Sequence, residues 1–382
     1  MREPLWIAND IISATNAEWL GAHGAVFERI IINSREAGEG DIFVALIGEN
    51  HDAHSFVKSA LEQGASAAIV SYIPEGVDAT DERLFLVDYD PLHALVRLGN
   101  HARERLSGKV IGVTGSVGKT SAKEALKVAC ESLGKSYATS GNYNNHVGVP
   151  LTLANMPADT DYAIIEMGMS AAGEIAYLTQ MARPHIAIIT IIAAAHIEFF
   201  ESIEGIADAK LEIAEGLEQG GTLVLPHDNE HYNYLRVHSS HIENRTSFGT
   251  DDASDYQVLS YGLSAQGASI SADITGQNVE FTMKAIGEHW AGIGTLVLGV
   301  VSLLDGDVSK AAKGLAEFSE PKGRGRAMKH LYDGLPASLQ GAWAENAASL
   351  NIEKYLRNDD TVLFKGSNGS KIHALVTEVT KS

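Results

Sequence analysis

One stretch limits this chain more than any other: the apolar run Val110, Ile111 and Val113 breaks into Gly115-Ser116-Val117-Gly118-Lys119-Thr120-Ser121. Directly afterwards Ala122, Ala125, Leu126, Ala129, Cys130 and Leu133 recur at helical spacing, so the glycine loop joins a buried strand to a helix N-terminus. In that context Gly115 and Gly118 let main-chain N–H groups close on phosphate oxygens. Lys119 would neutralise the β- and γ-phosphates, and the Thr120 hydroxyl is a ligand for Mg²⁺. The reading implies ATP as ligand, with the loop from Gly115 to Ser121 as its phosphate cradle. The full phosphate-loop pattern wants glycine at position 113, where this chain has valine, so the loop is a variant form.

At 382 residues the chain exceeds a single hydrophobic core, which predicts two or three domains. A formal net charge of −20 argues against nucleic acid or an anionic membrane as partner, because most of the surface would repel either. The single cysteine, Cys130, rules out a disulfide within the chain and suits a reducing compartment, the cytoplasm. Acidic residues early at the N-terminus leave no room for a signal sequence. The apolar run from Ala291 to Leu304 is short for a bilayer span and reads as a buried helix. A monomer is expected.

Residues 1 to 85 alternate short strand-like runs, Ile42 to Leu46 and Ala67 to Val70, with a helical pattern from Phe56 to Gly64, giving a small α/β domain. From 86 to 318, apolar runs at Val110 to Thr114, Tyr162 to Ile165, Ile186 to Ile192 and Thr222 to Leu225 are separated by helix-length segments. That is the pattern of a mostly parallel sheet covered on both faces. Alternation around Thr275-Gly276-Gln277-Asn278 predicts an antiparallel hairpin. Residues 319 to 382 hold one convincing strand, Thr361 to Phe364, and are thin for an independent domain.

In parallel sheets, ligands gather beyond the carboxyl ends of strands. One run ends at the glycine loop, a second at Glu166, and a third reaches His196. Taken singly, Glu166 suits a turn cap as well as a metal, and His196 suits a hydrogen-bonded core position. Beside Thr120, however, a carboxylate oxygen is what hard Mg²⁺ prefers. Read from the residues alone, Lys210 is a solvated helix lysine, and Asn144 and Asn145 fit either a turn or a cleft wall.

The set Thr114 to Ser121, Ser140 to Pro150 (with Asn144-Asn145-His146), Glu166-Met167-Gly168-Met169, Ala195-His196 and Ala207-Asp208-Ala209-Lys210 resembles the Mur ligases. The likeness is greatest to the MurF type, which adds D-alanyl-D-alanine to a UDP-N-acetylmuramoyl tripeptide. The resemblance runs from about residue 30 to 326 and resumes near the C-terminus. It implies an α/β fold of three domains: a UDP-sugar-binding N-terminal domain, a central mostly parallel P-loop ATPase domain and a truncated C-terminal ligase domain. It further implies Lys119, His196 and Lys210 as catalytic residues and Thr120, Glu166, His196 and Lys210 around two Mg²⁺ ions. Lys210 matches the position of a carbamylated lysine, a modification that needs a neutral amine and therefore burial or a neighbouring cation. Ser34 and Arg35, with Asn144 and Asn145, match substrate-binding positions. The implied reaction is ATP-dependent amide formation through an acyl phosphate, with a wall-precursor role in the cytoplasm.

Four departures accompany the likeness. Asn33 stands where the family usually has aspartate, and Ile191 and Ile293 replace asparagines. After Gly323-Arg324-Gly325-Arg326 the family's Tyr-Asn-x-Asn-Pro motif is missing, as if an internal block were absent. Two other outcomes follow from such departures: a nucleotide- or UDP-sugar-binding remnant without turnover, or a relative acting on folate, against which Ser34-Arg35 argues.

Overall fold

The computed structural model describes residues 4–194, 199–264, 267–285 and 287–319. The N-terminal part contains strands β1 (Trp6–Ile7), β2 (Glu18–Trp19), β3 (Val26–Phe27), β4 (Arg29–Ile31), β5 (Asp41–Val44), β6 (Ala67–Val70) and β7 (Leu84–Leu86). Its helices are α1 (Ala8–Thr15), α2 (Val57–Glu62) and α3 (Pro91–Glu104). Strands β4 to β7 run parallel in the order β7-β6-β5-β4, with β2 antiparallel on the β7 edge. Every residue of β5 and β6 is buried because helices cover both faces. Phe43, Ala68 and Val70 pack with Val57, Ala60 and Leu61 of α2 on one side. Ile42, Val44 and Ile69 meet Ile11 of α1 and Leu95 and Leu98 of α3 on the other. A 3₁₀ turn over Ala53–Phe56 precedes α2, so the expected helix is shorter than Phe56 to Gly64.

The following part begins with β8 (Lys109–Thr114), α4 (Lys119–Glu131), β9 (Ser136–Ala138), α5 (Gly148–Ala154), β10 (Tyr162–Glu166), α6 (Glu174–Ala182), β11 (Ile186–Ile189) and α7 (Ile203–Leu211). It continues through β12 (Thr222–Pro226), α8 (Tyr232–His238), β13 (Asn244–Gly249), β14 (Tyr256–Ser264), β15 (Gly267–Ile274), β16 (Gln277–Met283), α9 (His289–Leu303) and α10 (Val308–Leu315). The described strands form one sheet in the order β16-β15-β14-β13-β12-β11-β8-β10-β9. It is parallel from β9 to β14 and antiparallel across β14, β15 and β16. Alternation along the strands sorts the core into two layers. Ile111, Val113 and Ile188 face α4, α9 and α10, whereas Val110, Ile165 and Ile189 face α5, α6 and α7. Strand β8 therefore lies deep in the sheet, and the loop after it emerges between helices on either face.

The hairpin turns at Thr275-Gly276, both with positive φ (55° and 83°), the geometry a two-residue hairpin loop demands. Three strands of this sheet were not evident in the sequence: the short β9, the polar β13, and β14, whose alternation is broken by an irregularity between Val258 and Ser260. The run expected to be a strand to Ile192 ends at Ile189, because Thr190 and Ile191 turn to bind the glycine loop. The two parts are joined tightly. The Trp6 indole donates to the Ala154 carbonyl (2.8 Å), and the Asn155 amide bonds both the N–H and the carbonyl of Ile30 (2.8 and 2.9 Å). None of the described helices is long and apolar enough to cross a membrane. The strand expected at Thr361 to Phe364 lies outside the described residues.

Candidate active site

The glycine loop is fastened to the neighbouring strand by its own geometry and hydrogen bonds. Gly115 has φ 144° and Gly118 φ 90°, conformations that favour glycine. A Cβ at Gly115 would stand 2.0 Å from Thr190 Oγ1, so the close approach of the two segments also requires its absence. Thr190 Oγ1 donates to the Val117 carbonyl (2.5 Å), Ser116 N donates to the Ile191 carbonyl (2.7 Å), and Ser116 Oγ donates to the Ala193 carbonyl (2.9 Å). Helix α4 opens at Lys119 immediately behind the loop, leading with its first-turn N–H groups. The Lys119 ammonium donates to the Gly115 carbonyl (2.5 Å), folding across the loop. Val113, the departure from the usual pattern, is a fully buried core residue at the end of β8.

Strand β10 lies beside β8 in parallel register, Glu166 opposite Val113, and this pairing delivers the carboxylate to the loop. The Thr120 hydroxyl donates to Glu166 Oε2 (2.8 Å), and the Asn144 amide donates to Glu166 Oε1 (2.8 Å). Glu166 is 1% exposed. Its backbone N–H donates to Thr139 Oγ1 (3.0 Å). The structure thus unites Thr120, Glu166 and Asn144. Asn145 instead shapes the turn just ahead of α5, where its Oδ1 accepts from the N–H groups of Val147 and Gly148 (3.2 and 2.9 Å). A cavity of about 390 Å³ lies alongside, lined by His146, Gly168, Glu174 and Tyr177 among others.

Lys210 overturns the residue-by-residue expectation of a solvated lysine, since it is only 2% exposed on α7. Burial, reinforced by the positive charge of Lys119 and opposed by Glu212, pulls its amine from the ordinary 10.5 down to about 7. His196 lies outside the described residues. Ile191 is 40% exposed and contributes its backbone to the loop, while Ile293 packs against the core beside α4. Cys130 is buried, and burial pushes its thiol up to about 12, which fits a packing role.

Sequence reasoning missed two residues here. Thr190 carried no pattern of its own. Lys123 is 0% exposed, and its ammonium donates to the carbonyls of Thr139 (2.7 Å) and Gly141 (3.1 Å). The signal was present, because Lys123 falls on the same helical stripe as Lys119, Leu126 and Cys130.

In the N-terminal part, Ser34 and Arg35 occupy a short 3₁₀ turn just past the carboxyl end of β4. Asn33 caps that turn, accepting from Arg35 N (3.2 Å) and donating to Glu36 Oε1 (2.9 Å). Beneath it, the Arg29 guanidinium holds the buried Asp41 carboxylate through two hydrogen bonds (2.9 and 2.7 Å). Arg35 itself is exposed.

Residues 113–292 match the Mur ligase middle domain. The chain is 35% identical over 320 residues to the UDP-N-acetylmuramoyl-tripeptide--D-alanyl-D-alanine ligase of Rickettsia prowazekii, covering 81% of this chain and 70% of that protein. It is 37% identical over 268 residues to the Bacillus subtilis ligase of the same name, covering 69% of this chain and 56% of that protein. Among solved structures, MurF ligase from Thermotoga maritima in complex with ADP superposes with a TM-score of 0.67 at 28% identity, covering 78% of this chain and 67% of that one.

Proposed function

The chain belongs to the Mur ligase family, and on that premise we propose that it couples ATP consumption to joining D-alanyl-D-alanine to a UDP-N-acetylmuramoyl tripeptide. The observation that carries this reading is the Thr120–Glu166 contact, which sets a hydroxyl and a carboxylate side by side at the mouth of the phosphate-binding loop. Main-chain N–H groups of the Gly115–Ser121 loop, apart from that of Ser116, which is held by the Ile191 carbonyl, receive the triphosphate, and Lys119 exchanges its bond to the Gly115 carbonyl for phosphate oxygens. The peptide carboxylate attacks the γ-phosphoryl group, breaking its bond to the β-phosphate oxygen and releasing ADP, to give an acyl phosphate; the dipeptide amine then attacks the acyl carbon, loses a proton and expels inorganic phosphate. Lys119 offsets the negative charge that develops on the transferring group.

Hard oxygen donors suit Mg²⁺, and Thr120 and Glu166 are such a pair. These two residues would hold the ion, which when bound supplies charge neutralisation at the phosphates. Lys210, with an amine near neutrality at physiological pH, is suited to carbamylation, after which it would offer oxygen ligands; His196 is its expected companion. Ser34 and Arg35 would receive the UDP-sugar. The chemistry belongs to a cytoplasmic step of wall-precursor synthesis.

A second reading, ligand binding without turnover, is favoured by Ile293, which lies against the core where the family's asparagine would offer an amide. One assay separates the two. Purified protein given ATP, Mg²⁺, the UDP-muramoyl tripeptide and D-alanyl-D-alanine should release phosphate only when both acceptor and amine are present. Release at the level of a Lys119→Ala control would refute ligation and leave the binding reading.

A further inference from the structure

The buried lysine on the loop's own helix has no part in the phosphoryl-transfer chemistry. Lys123 lies one turn beyond Thr120 on α4, completely out of solvent. Its ammonium is 3.8 Å from Glu166 Oε2, the oxygen that also accepts from Thr120, and 2.9 Å from Glu124 Oε1. The Thr139 and Gly141 carbonyls complete its surroundings and fix it in place. A fully buried lysine retained beside a carboxylate is costly unless the pair serves each other, since removing either partner leaves an uncompensated charge out of water.

We propose that Lys123 is the built-in counter-charge of Glu166, and that it makes divalent-metal uptake at Glu166 depend on the phosphates of a bound nucleotide. Lys123, shared between Glu166 and Glu124, and Lys119 folded across the loop together offset the acidic charge, so a free divalent cation meets a weakened attraction and is repelled by Lys123. When a triphosphate lies along the glycine loop, its negative charges outweigh that repulsion, and metal and nucleotide enter together. Glu166 oxygens are also held by Thr120 and Asn144, so the carboxylate is oriented before the cation arrives. The inference rests on the reading of Thr120 and Glu166 as metal ligands given above.

The test uses Mn²⁺ as probe, with free Mn²⁺ counted by electron paramagnetic resonance in the presence of the full chain, with and without ATP. Lys123→Met, which keeps the length of the side chain and removes its charge, should bind Mn²⁺ without nucleotide at least tenfold more tightly than the wild type. Adding Glu166→Gln to that variant should abolish the gain, which assigns it to Glu166 rather than Glu124. A folded Lys123→Met protein, verified by circular dichroism, with unchanged nucleotide-free affinity would overturn the proposal. If that variant does not fold, the wild type still decides against it by binding Mn²⁺ equally with and without ATP. Absence of Mn²⁺ binding even with ATP would instead overturn the metal reading on which the proposal stands.

Discussion

The glycine loop and the turn carrying Ser34 and Arg35 both follow the carboxyl end of a parallel strand, yet they are built in opposite ways. Around the loop, Thr120, Glu166, Lys123 and Lys210 are buried, and Thr120, Glu166 and Lys123 bond to one another or to backbone. Around the turn, Arg35 is exposed, and the structural bonds are made by its neighbours Asn33, Arg29 and Asp41. The first region is organised at the expense of stability, because it keeps charged groups out of water. The second separates the scaffold from the group that meets ligand. Substitutions in the loop should therefore disturb folding and function together, whereas substitutions at the turn should disturb binding alone.

The largest effect is expected at Lys119. Lys119→Ala should lower ligand-dependent phosphate release about 10³-fold, the scale of losing a charged donor to a transferring phosphoryl group. Titration with UDP should be unaffected, and a matching loss of UDP affinity would show that the two regions are not separable.

Lys210 provides the next. Its amine loses a proton near pH 7 in the native state and near 10.5 when unfolded, so between those values the unfolded chain holds more protons and stability rises with pH. Below about pH 7 both states are protonated and the whole burial cost is present. Lys210→Met removes that cost and should be more stable than the wild type by about 2–5 kcal/mol at pH 6, with the gap narrowing toward pH 10. Urea unfolding of ligand-free, bicarbonate-free protein at a series of pH values measures it. A gap independent of pH would mean that Lys210 is charged in its native surroundings.

Gly115→Ala would place a methyl group against Thr190 Oγ1 in a backbone conformation unsuited to alanine, and should cost about 1–3 kcal/mol of stability by thermal unfolding. The smallest effect is at the turn. Arg35→Ala should weaken UDP-sugar binding about tenfold in calorimetry, roughly the worth of one charged hydrogen bond, and leave the melting temperature unchanged. A drop in melting temperature would abolish the contrast drawn between the regions.

Much of the architecture was legible because apolar strands buried on both faces form continuous runs, and four such runs plus a glycine loop identify a parallel sheet. Strands β13 and β14 escaped because Asn244–Gly249 is mostly polar and Val258–Ser260 breaks the alternation. At the site, Glu166 could be anticipated from its place at the end of an apolar run. From the residues alone Lys210 reads as a solvated helix lysine, and only the family resemblance implies a desolvated amine there, because it is the fold that turns α7 inward near Lys119. Lys123 lies on the buried stripe of α4 and so could have been noticed, but its partners Thr139, Gly141 and Glu166 are 16, 18 and 43 residues away and meet it only through the fold.

The central claim is that the loop from Gly115 to Ser121, with Glu166 beside it, receives the phosphates of ATP together with a divalent cation. Isothermal calorimetry with ATP and Mg²⁺ tests this most directly. The account predicts saturable binding at one site per chain that requires Mg²⁺ for full affinity and is lost in Lys119→Ala. Binding that is unchanged by Lys119→Ala, or no binding by the folded wild type, would contradict it.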